Sequence, residues 1–481
     1  MPTRNVIYLS LALAMAVLAH TSGDRTPHGR RLGEIIAAVE RSYIEQVDAD
    51  TLFDAAVEGV MGKLDENSRY VSREDRTDFE ASLDLEFCGV GLELVGADSG
   101  DGEAGSRRYL QVDGLLPESP AWKSGLSAGD SILAIDGVST RGMTTSQAVA
   151  RLRGRPGSRV VVTVAGSGTD AAGTVVRDVE LVRETIRIES VLGDRRRSDG
   201  SWEWRIEGRP DLAFIRLTGF GEHTREDLER AIEQTLAEDR PAGVVLDLRG
   251  NPGGLVTSAV EVADLFLDSR ELIVATRGRP ASRAAADGGD ATEAAPDRRL
   301  ASTGDILDGL PMAVLVDGET ASAAEIVAAA LQDHARARIF GGRTFGKGTV
   351  QQILPLFSDG GLLKVTSSEY LRPSGKAIGR NHAGVGESWG VVPDVGLEVA
   401  LGRDVKRRLA AWRRQRDLVR PNLMMPNLVR QSGVATALSE ANISSLADAP
   451  EQVDPVLGRA VEWLTSLPAP RMPEKSSQPR R

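Results

Sequence analysis

DGETASAAEIVAAALQDHARARIFGGRTFGKGTVQ, residues 317–351, reads as a strand end, a helix, a second strand and a glycine-rich loop. Ser322 falls at the start of the helix and Lys347 in the loop, 25 residues later. Three chemistries fit. Ser322-Ala-Ala-Glu325 is a capping box, in which the serine only caps the helix. GGRTFGKG comes close to a phosphate-binding loop, but Gly348 stands where a Ser or Thr would hold magnesium. TVQQILPL after it alternates like a strand and does not open a helix, which defeats the nucleotide reading. The third chemistry is a serine nucleophile with a lysine base. Read alone, the stretch favours the cap.

Bulk properties narrow the field. The 481 residues allow two to four domains. The net charge of −11 argues against nucleic acid as a partner, which needs a basic face. Cys88 is the single cysteine, so neither an intramolecular disulfide nor a Cys-rich metal site can form. The five histidines make no H-x-x-x-H or H-E-x-x-H pattern, so a zinc hydrolase is disfavoured. No metal and no cofactor is expected.

Upstream, Arg4 precedes an apolar run from Val6 to Ala19 that is short for a bilayer core of about 30 Å. Residues 1–22 read as a secretory signal peptide cleaved after Ala19, with an uncleaved N-terminal anchor as the alternative. No cysteine follows the run, which excludes a lipoprotein anchor. The expected location is extracytoplasmic: bacterial periplasm or secreted, membrane-tethered if the signal is kept.

Residues 29–86 carry two amphipathic helices, Ile35/Ile36/Val39/Tyr43 and Leu52/Ala55/Ala56/Val60/Leu64, read as packing helices, and then a polar helix. Residues 87–187 turn short and β-rich, with an Asp136-Gly137 hairpin turn and a helix ending at Gly154. In 188–400, IRIESVL and WEWRIEG read as a hairpin about Asp199-Gly200. AGVVLDLRG is a near-continuous apolar strand, as expected when both faces are covered. It runs into Asn251-Pro252-Gly253-Gly254 and a helix, a turn that offers backbone N–H groups to an anion. The β/α alternation predicts a layered α/β core. Residues 281–300 read as a flexible insert, and 401–481 as a C-terminal helical region with a disordered tail. In DVKRRLAAWRRQRDLVR the basic residues read as a solvated face.

Ser119-Pro120-Ala121, Gly125-Leu126, Gly129-Asp130 and Ile135-Asp136-Gly137 resemble a PDZ domain of the kind found in bacterial and plastid proteases. A PDZ domain adds a C-terminal peptide to a sheet edge and holds its carboxylate on backbone N–H groups. The matching loop is Phe87-Cys88-Gly89-Val90-Gly91, with Cys88 where that family usually has glycine. Asp247-Leu-Arg-Gly-Asn-Pro-Gly-Gly254, Ser322-Ala-Ala-Glu-Ile326 and Thr344-Phe-Gly-Lys-Gly-Thr-Val-Gln351 resemble the carboxyl-terminal processing peptidases, or tail-specific proteases, over roughly residues 30–400. The resemblance implies a multidomain α/β protein: a crotonase/Clp-protease-like layered core, an inserted PDZ domain and a helical N-terminal segment.

It further implies a serine endopeptidase with Ser322 as nucleophile, Lys347 as base and Gln351 orienting the lysine. Ala323 and Gly253 or Gly254 would supply the oxyanion N–H groups. A lysine at its reference pKa of about 10.4 is no base at neutral pH; burial lowers it, and Phe345, Val350 and Ile353 are the expected apolar surroundings. Asp333, 11 residues after Ser322, lies about 16 Å along the helix and reads as an anchor of its end. The implied partners are protein substrates with free, apolar C-terminal tails, with an adaptor or a homo-oligomer left open. A catalytically inactive PDZ scaffold is the competing function.

Overall fold

The computed structural model describes residues 27–96, 109–166, 175–278, 297–356, 360–380, 389–418 and 453–468. The signal-peptide region 1–22, most of the insert and the C-terminal tail lie outside them. Among the described residues no helix is long and apolar enough to cross a membrane. The chain forms two compact units, residues 1–74 with 351–366, and residues 75–350 with 367–481.

In the larger unit, strands Arg209–Leu217, Gly243–Asp247, Met312–Val316 and Arg338–Gly341 pair in parallel, in that order. Val191–Leu192 adds antiparallel to the first. Alternate residues divide the sheet's two faces. Ile215, Leu246, Val314 and Ile339 share one core with helices Thr224–Glu238, Val256–Asp264 and Ala323–Asp333. Phe214, Val245, Leu315 and Phe340 meet Leu457, Val461 and Leu464 of helix Pro455–Ser466 on the other. Coverage on both sides is why GVVLD is buried at every position. Strand Leu272–Gly278 pairs with Asp297–Leu300, so the last four residues counted into the insert are strand.

The β-rich region has its own antiparallel sheet, Leu92–Val95, Leu110–Leu115, Ser131–Ile135, Arg159–Ala165 and Val176–Val182 in that order. Its separate core includes Val112, Ile132, Ile135 and Val162. The chain enters and leaves it through one ladder, Glu86–Gly89 with Glu184–Arg187. Two expectations fail nearby. The hairpin about Gly200 joins Arg195–Arg196 to Trp202–Glu203, with residues 188–192 outside it. Helix Arg403–Asp417 is not a solvated basic face throughout, because Trp412, Arg413 and Arg416 are buried.

In the smaller unit, Arg69–Val71 pairs antiparallel with Leu362–Lys364. The amphipathic helices form as Pro27–Ser42 and Ala49–Met61, but neither buries a residue, contrary to the packing role expected of them. Ile35 is 54% exposed and Val60 63%.

Candidate active site

Ser322 follows the turn after strand Met312–Val316 and immediately precedes helix Ala323–Asp333. Its backbone lies at φ 56°, ψ −118°. That setting costs a non-glycine residue on the order of 1–3 kcal/mol, and it persists only where the surroundings impose it. The Ser322 N–H donates to the Glu325 carboxylate at 2.8 Å. Its carbonyl accepts the Glu325 amide at 2.9 Å and the Ile326 amide at 3.2 Å.

Glu325 ties the helix start to the lysine loop. It is fully buried. One oxygen accepts the N–H groups of Ser322 and Lys347, each at 2.8 Å; the other accepts the Gly346 N–H at 2.7 Å and the Thr344 hydroxyl. The amide nitrogens of Ser322 and Lys347 therefore lie within two hydrogen-bond lengths of each other, through one oxygen. Burial pushes the Glu325 carboxyl up, and the four donors work against that. Lys347 is half-buried. Two of the residues expected as its apolar surroundings are themselves exposed. Phe345 is exposed and faces the Arg380 guanidinium, 4.6 Å from its ring centre, and Ile353 is also exposed. Val350 packs against the main core.

The turn after Gly243–Asp247 meets Ser322 from the other side. Asn251, fully buried, pins it three ways. Its side-chain amide donates to the Leu217 carbonyl, its Oδ1 accepts the Gly253 N–H, and its carbonyl accepts the Ala321 N–H, each at 2.9 Å. Gly253 lies against the nucleophile: a Cβ there would come to 2.9 Å from Ser322 Cβ and 3.0 Å from the Ala323 nitrogen. Gly254, at φ 146°, bridges to Phe220, whose carbonyl oxygen a Cβ would approach to 2.2 Å. With the Gly253 N–H taken, the N–H groups of Gly254 and Ala323 are the two at this junction with no acceptor among the described residues.

Gln351 lies in the smaller unit, where its amide donates to the Thr366 hydroxyl at 3.3 Å; that hydroxyl donates to Asp65 at 3.0 Å. Asp333, the last residue of the helix, takes a two-point ion pair from Arg372 at 2.7 and 2.9 Å and the Ser374 N–H at 3.0 Å. His334 is engaged with the Leu272 carbonyl at 2.8 Å. Both are structural contacts at the helix end.

In the β-rich domain, Phe87, Cys88 and Gly89 are in the entry ladder, opposite Ile186, Thr185 and Glu184. The Val90 carbonyl accepts the Ala121 N–H and the Gly91 carbonyl accepts the Leu116 N–H. The N–H groups of Val90 and Gly91 themselves have no acceptor among the described residues. Gly91, at φ 78°, admits no side chain, since a Cβ would come to 2.2 Å from Ser119 Cβ. Burial raises the Cys88 thiol pKa. Among the described residues strand Leu92–Val95 ends the sheet, with one partner strand.

The family comparisons agree with this architecture. Peptidase family S41 matches residues 211–397 and the PDZ domain matches 111–166. A carboxy-terminal-processing protease of Bartonella bacilliformis is 34% identical over 406 residues, 83% of this chain and 82% of that protein. The chain belongs to peptidase family S41. The carboxy-terminal processing protease CtpA of Bacillus subtilis is 30% identical over 78% of this peptidase and 74% of its own length. Among solved structures, a photosystem II D1 C-terminal processing protease is 26% identical, covers 78% of this chain and 93% of its own, and has a TM-score of 0.41. The peptidase is thus a serine-type hydrolase with a PDZ domain. Two residues that the sequence offered only as parts of motifs, Glu325 and Asn251, hold the site together. In the sequence the one is the far member of the Ser322 capping box and the other part of an anion-binding turn.

Proposed function

We propose that the peptidase cuts protein substrates with Ser322 as nucleophile and Lys347 as general base, after its PDZ domain has captured the substrate's C-terminal tail. The observation that carries this reading is the strained Ser322, whose N–H shares one Glu325 oxygen with the N–H of Lys347. As Ser322 Oγ bonds to the scissile carbonyl carbon, its proton passes to neutral Lys347 Nζ. The carbonyl oxygen becomes an oxyanion and is met by the N–H groups of Ala323 and Gly254. Collapse breaks the C–N bond, and Lys347 returns the proton to the leaving amine. Water then bonds to the acyl carbon as Lys347 takes its proton, the bond to Ser322 Oγ breaks, and Lys347 returns the proton to that oxygen. Gln351 keeps the orienting role that the family resemblance implies.

For the tail, the N–H groups of Val90 and Gly91 suit a terminal carboxylate, and strand Leu92–Val95 offers an edge to extend. Leu92 and Leu94, packed on the domain's apolar core, favour an apolar tail. With its apolar N-terminal run, the chain is assigned to the extracytoplasmic space, and an adaptor or a second copy remains a candidate partner.

The test uses an unstructured protein ending in an apolar tail, with wild type, Ser322→Ala and Lys347→Ala. Wild type should cut and both variants should bind without cutting. Amidating the tail should slow cleavage. A wild type that binds the tail and never cuts would instead make the protein a scaffold.

A further inference from the structure

Strand Gly243–Asp247 ends at a buried charge cluster that the catalytic scheme does not use. Arg249, one residue before the turn that carries Asn251, Gly253 and Gly254, has both sides of its guanidinium occupied. On one side Nε and Nη2 reach Asp247 at 2.9 and 2.6 Å; on the other Nη1 and Nη2 reach Asp454 at 2.9 and 2.7 Å. The Arg249 backbone N–H also donates to Asp247, at 3.0 Å. Main chain and side chain of the residue entering the turn are therefore fixed together. The next residue, Gly250, donates its N–H to Asp317 at 3.0 Å.

Asp454 stands 205 residues further along the chain, at the N-cap of helix Pro455–Ser466, where it accepts the Leu457 N–H at 3.1 Å. It is fully buried, and it also meets Arg413 of helix Arg403–Asp417 at 3.4 Å. Arg413 and Arg416 in turn reach Asp194. Three arginines and three aspartates are thus held almost out of water. A buried ionic group of this kind stabilises no better than well-packed apolar side chains would, whereas removing one partner leaves an uncompensated charge. Its distinctive product is a fixed geometry, and what it fixes here is the entrance to the turn that carries Gly253, which lies against Ser322, and Gly254.

We propose that Asp454 is a positioning residue for the oxyanion turn, acting through Arg249, so that the C-terminal helix forms part of the catalytic apparatus. The proposal rests on the assignment of Gly254 N–H to the oxyanion. The turn is held by Asn251 and by the Phe220 backbone on the nucleophile side, and by Arg249 and the Gly250–Asp317 bond on the strand side. Loosening the Arg249 hold lets the Gly254 N–H drift while Ser322, Lys347 and the PDZ domain stay in place. A displacement of about 1 Å at such a donor lowers turnover by up to about 100-fold.

The experiment compares full-length wild type, Asp454→Asn, Arg249→Lys and Arg413→Gln. Turnover is measured on a fluorogenic peptide, together with binding of a peptide aldehyde, whose adduct with Ser322 carries an oxyanion, and of the matching uncleaved acid. Asp454→Asn and Arg249→Lys should each lower kcat about tenfold or more and weaken aldehyde binding by a similar factor. KM and acid binding should stay within about twofold, because the ground state makes little use of the oxyanion donors. Arg413→Gln leaves the Arg249–Asp454 contact in place and should lower melting temperature with kcat unchanged. Arg249→Lys keeps the charge without the two-sided fork, so it decides the matter if Asp454→Asn does not fold. Wild-type kcat and aldehyde affinity in the folded Asp454→Asn or Arg249→Lys protein overturn the proposal, as does a kcat loss in Arg413→Gln equal to that in Arg249→Lys. Failure of the underlying catalytic reading looks different: the wild type itself neither cuts the peptide nor binds the aldehyde better than the acid.

Discussion

Replacing Glu325 by glutamine should cost turnover before it costs the fold. The carboxylate receives four donors, two per oxygen. Glutamine keeps one acceptor oxygen and turns the other into an NH2 group. With the oxygen toward Ser322 and Lys347, the NH2 faces the Gly346 N–H and the Thr344 hydroxyl. The hydroxyl can reverse, although its oxygen already accepts the Val391 N–H at 2.8 Å, so one backbone donor is left without an acceptor. A buried donor in that state costs about 1–3 kcal/mol, and relief of the buried carboxyl's own desolvation offsets part of it. Net destabilisation of about 1–2 kcal/mol falls on the junction of Ser322 with the 344–347 loop, and at 1.36 kcal/mol per tenfold it should lower kcat about five- to thirtyfold. Glu325→Ala leaves all four donors bare, a cost of about 4–12 kcal/mol that rivals the 5–15 kcal/mol total of a typical protein, and should yield no folded, active enzyme. The assay pairs turnover on an unstructured tailed protein with thermal melting. A Glu325→Gln enzyme with wild-type kcat and unchanged melting would refute the claim that this carboxylate joins nucleophile and base.

Two other perturbations test the frame. In Gly254→Ala the new methyl would sit 2.2 Å from the Phe220 carbonyl oxygen, so the turn must shift and its N–H with it. The loss of one oxyanion donor corresponds to about 10²–10³ in kcat, with tail binding by the PDZ domain unchanged; a variant that keeps a third of wild-type turnover would remove Gly254 from the site. Asp333→Asn weakens the Arg372 pair at the far end of the nucleophile helix. Although burial alone would raise the Asp333 carboxyl, Arg372 and the Ser374 N–H hold it below the usual value of 3.8, so its stabilisation is present above about pH 4 and is lost as pH falls through the lower folded value. The variant should be less stable than wild type at pH 7, by on the order of 2 kcal/mol for a charge-assisted pair, with the gap closing below about pH 4 and kcat unchanged at pH 7. A kcat loss exceeding the loss of folded protein would instead make Asp333 part of the chemistry.

What was legible in the chain follows from the range of the interactions involved. Strand GVVLD and the helix after Ser322 declare themselves because continuous burial and helical spacing are local patterns, and the placing of Ser322 and Lys347 follows from motifs within a 35-residue stretch. The choice between Gly253 and Gly254 was not local: it depends on where the Asn251 side chain turns, and the sequence does not record that. The N-terminal helices show the limit of periodicity, which reports an apolar stripe and not a surface to cover it. Helix Arg403–Asp417 shows the same limit in reverse. Arg413 and Arg416 look like solvated residues until Asp194 and Asp454, far away in sequence, are brought to them.

The same distinction orders the catalytic parts. Ser322, Ala323 and Lys347 are close in sequence, and they and Gly254 all fall in readable motifs. The carboxylates that aim them, Glu325 for the lysine loop and Asp454 for the oxyanion turn, act across folded contacts, so each looks ordinary in the chain, one as a member of the Ser322 capping box and the other as one aspartate among many. Both carboxylates also sit at a helix N-terminus, where free backbone N–H groups favour a carboxylate even in an apolar setting. That location lets one buried charge cap a helix and hold a catalytic loop with the oxygens that remain. A peptidase poor in histidine and free of cysteine pairs can therefore build a rigid site from main-chain N–H groups, provided that each carboxylate stays fully engaged.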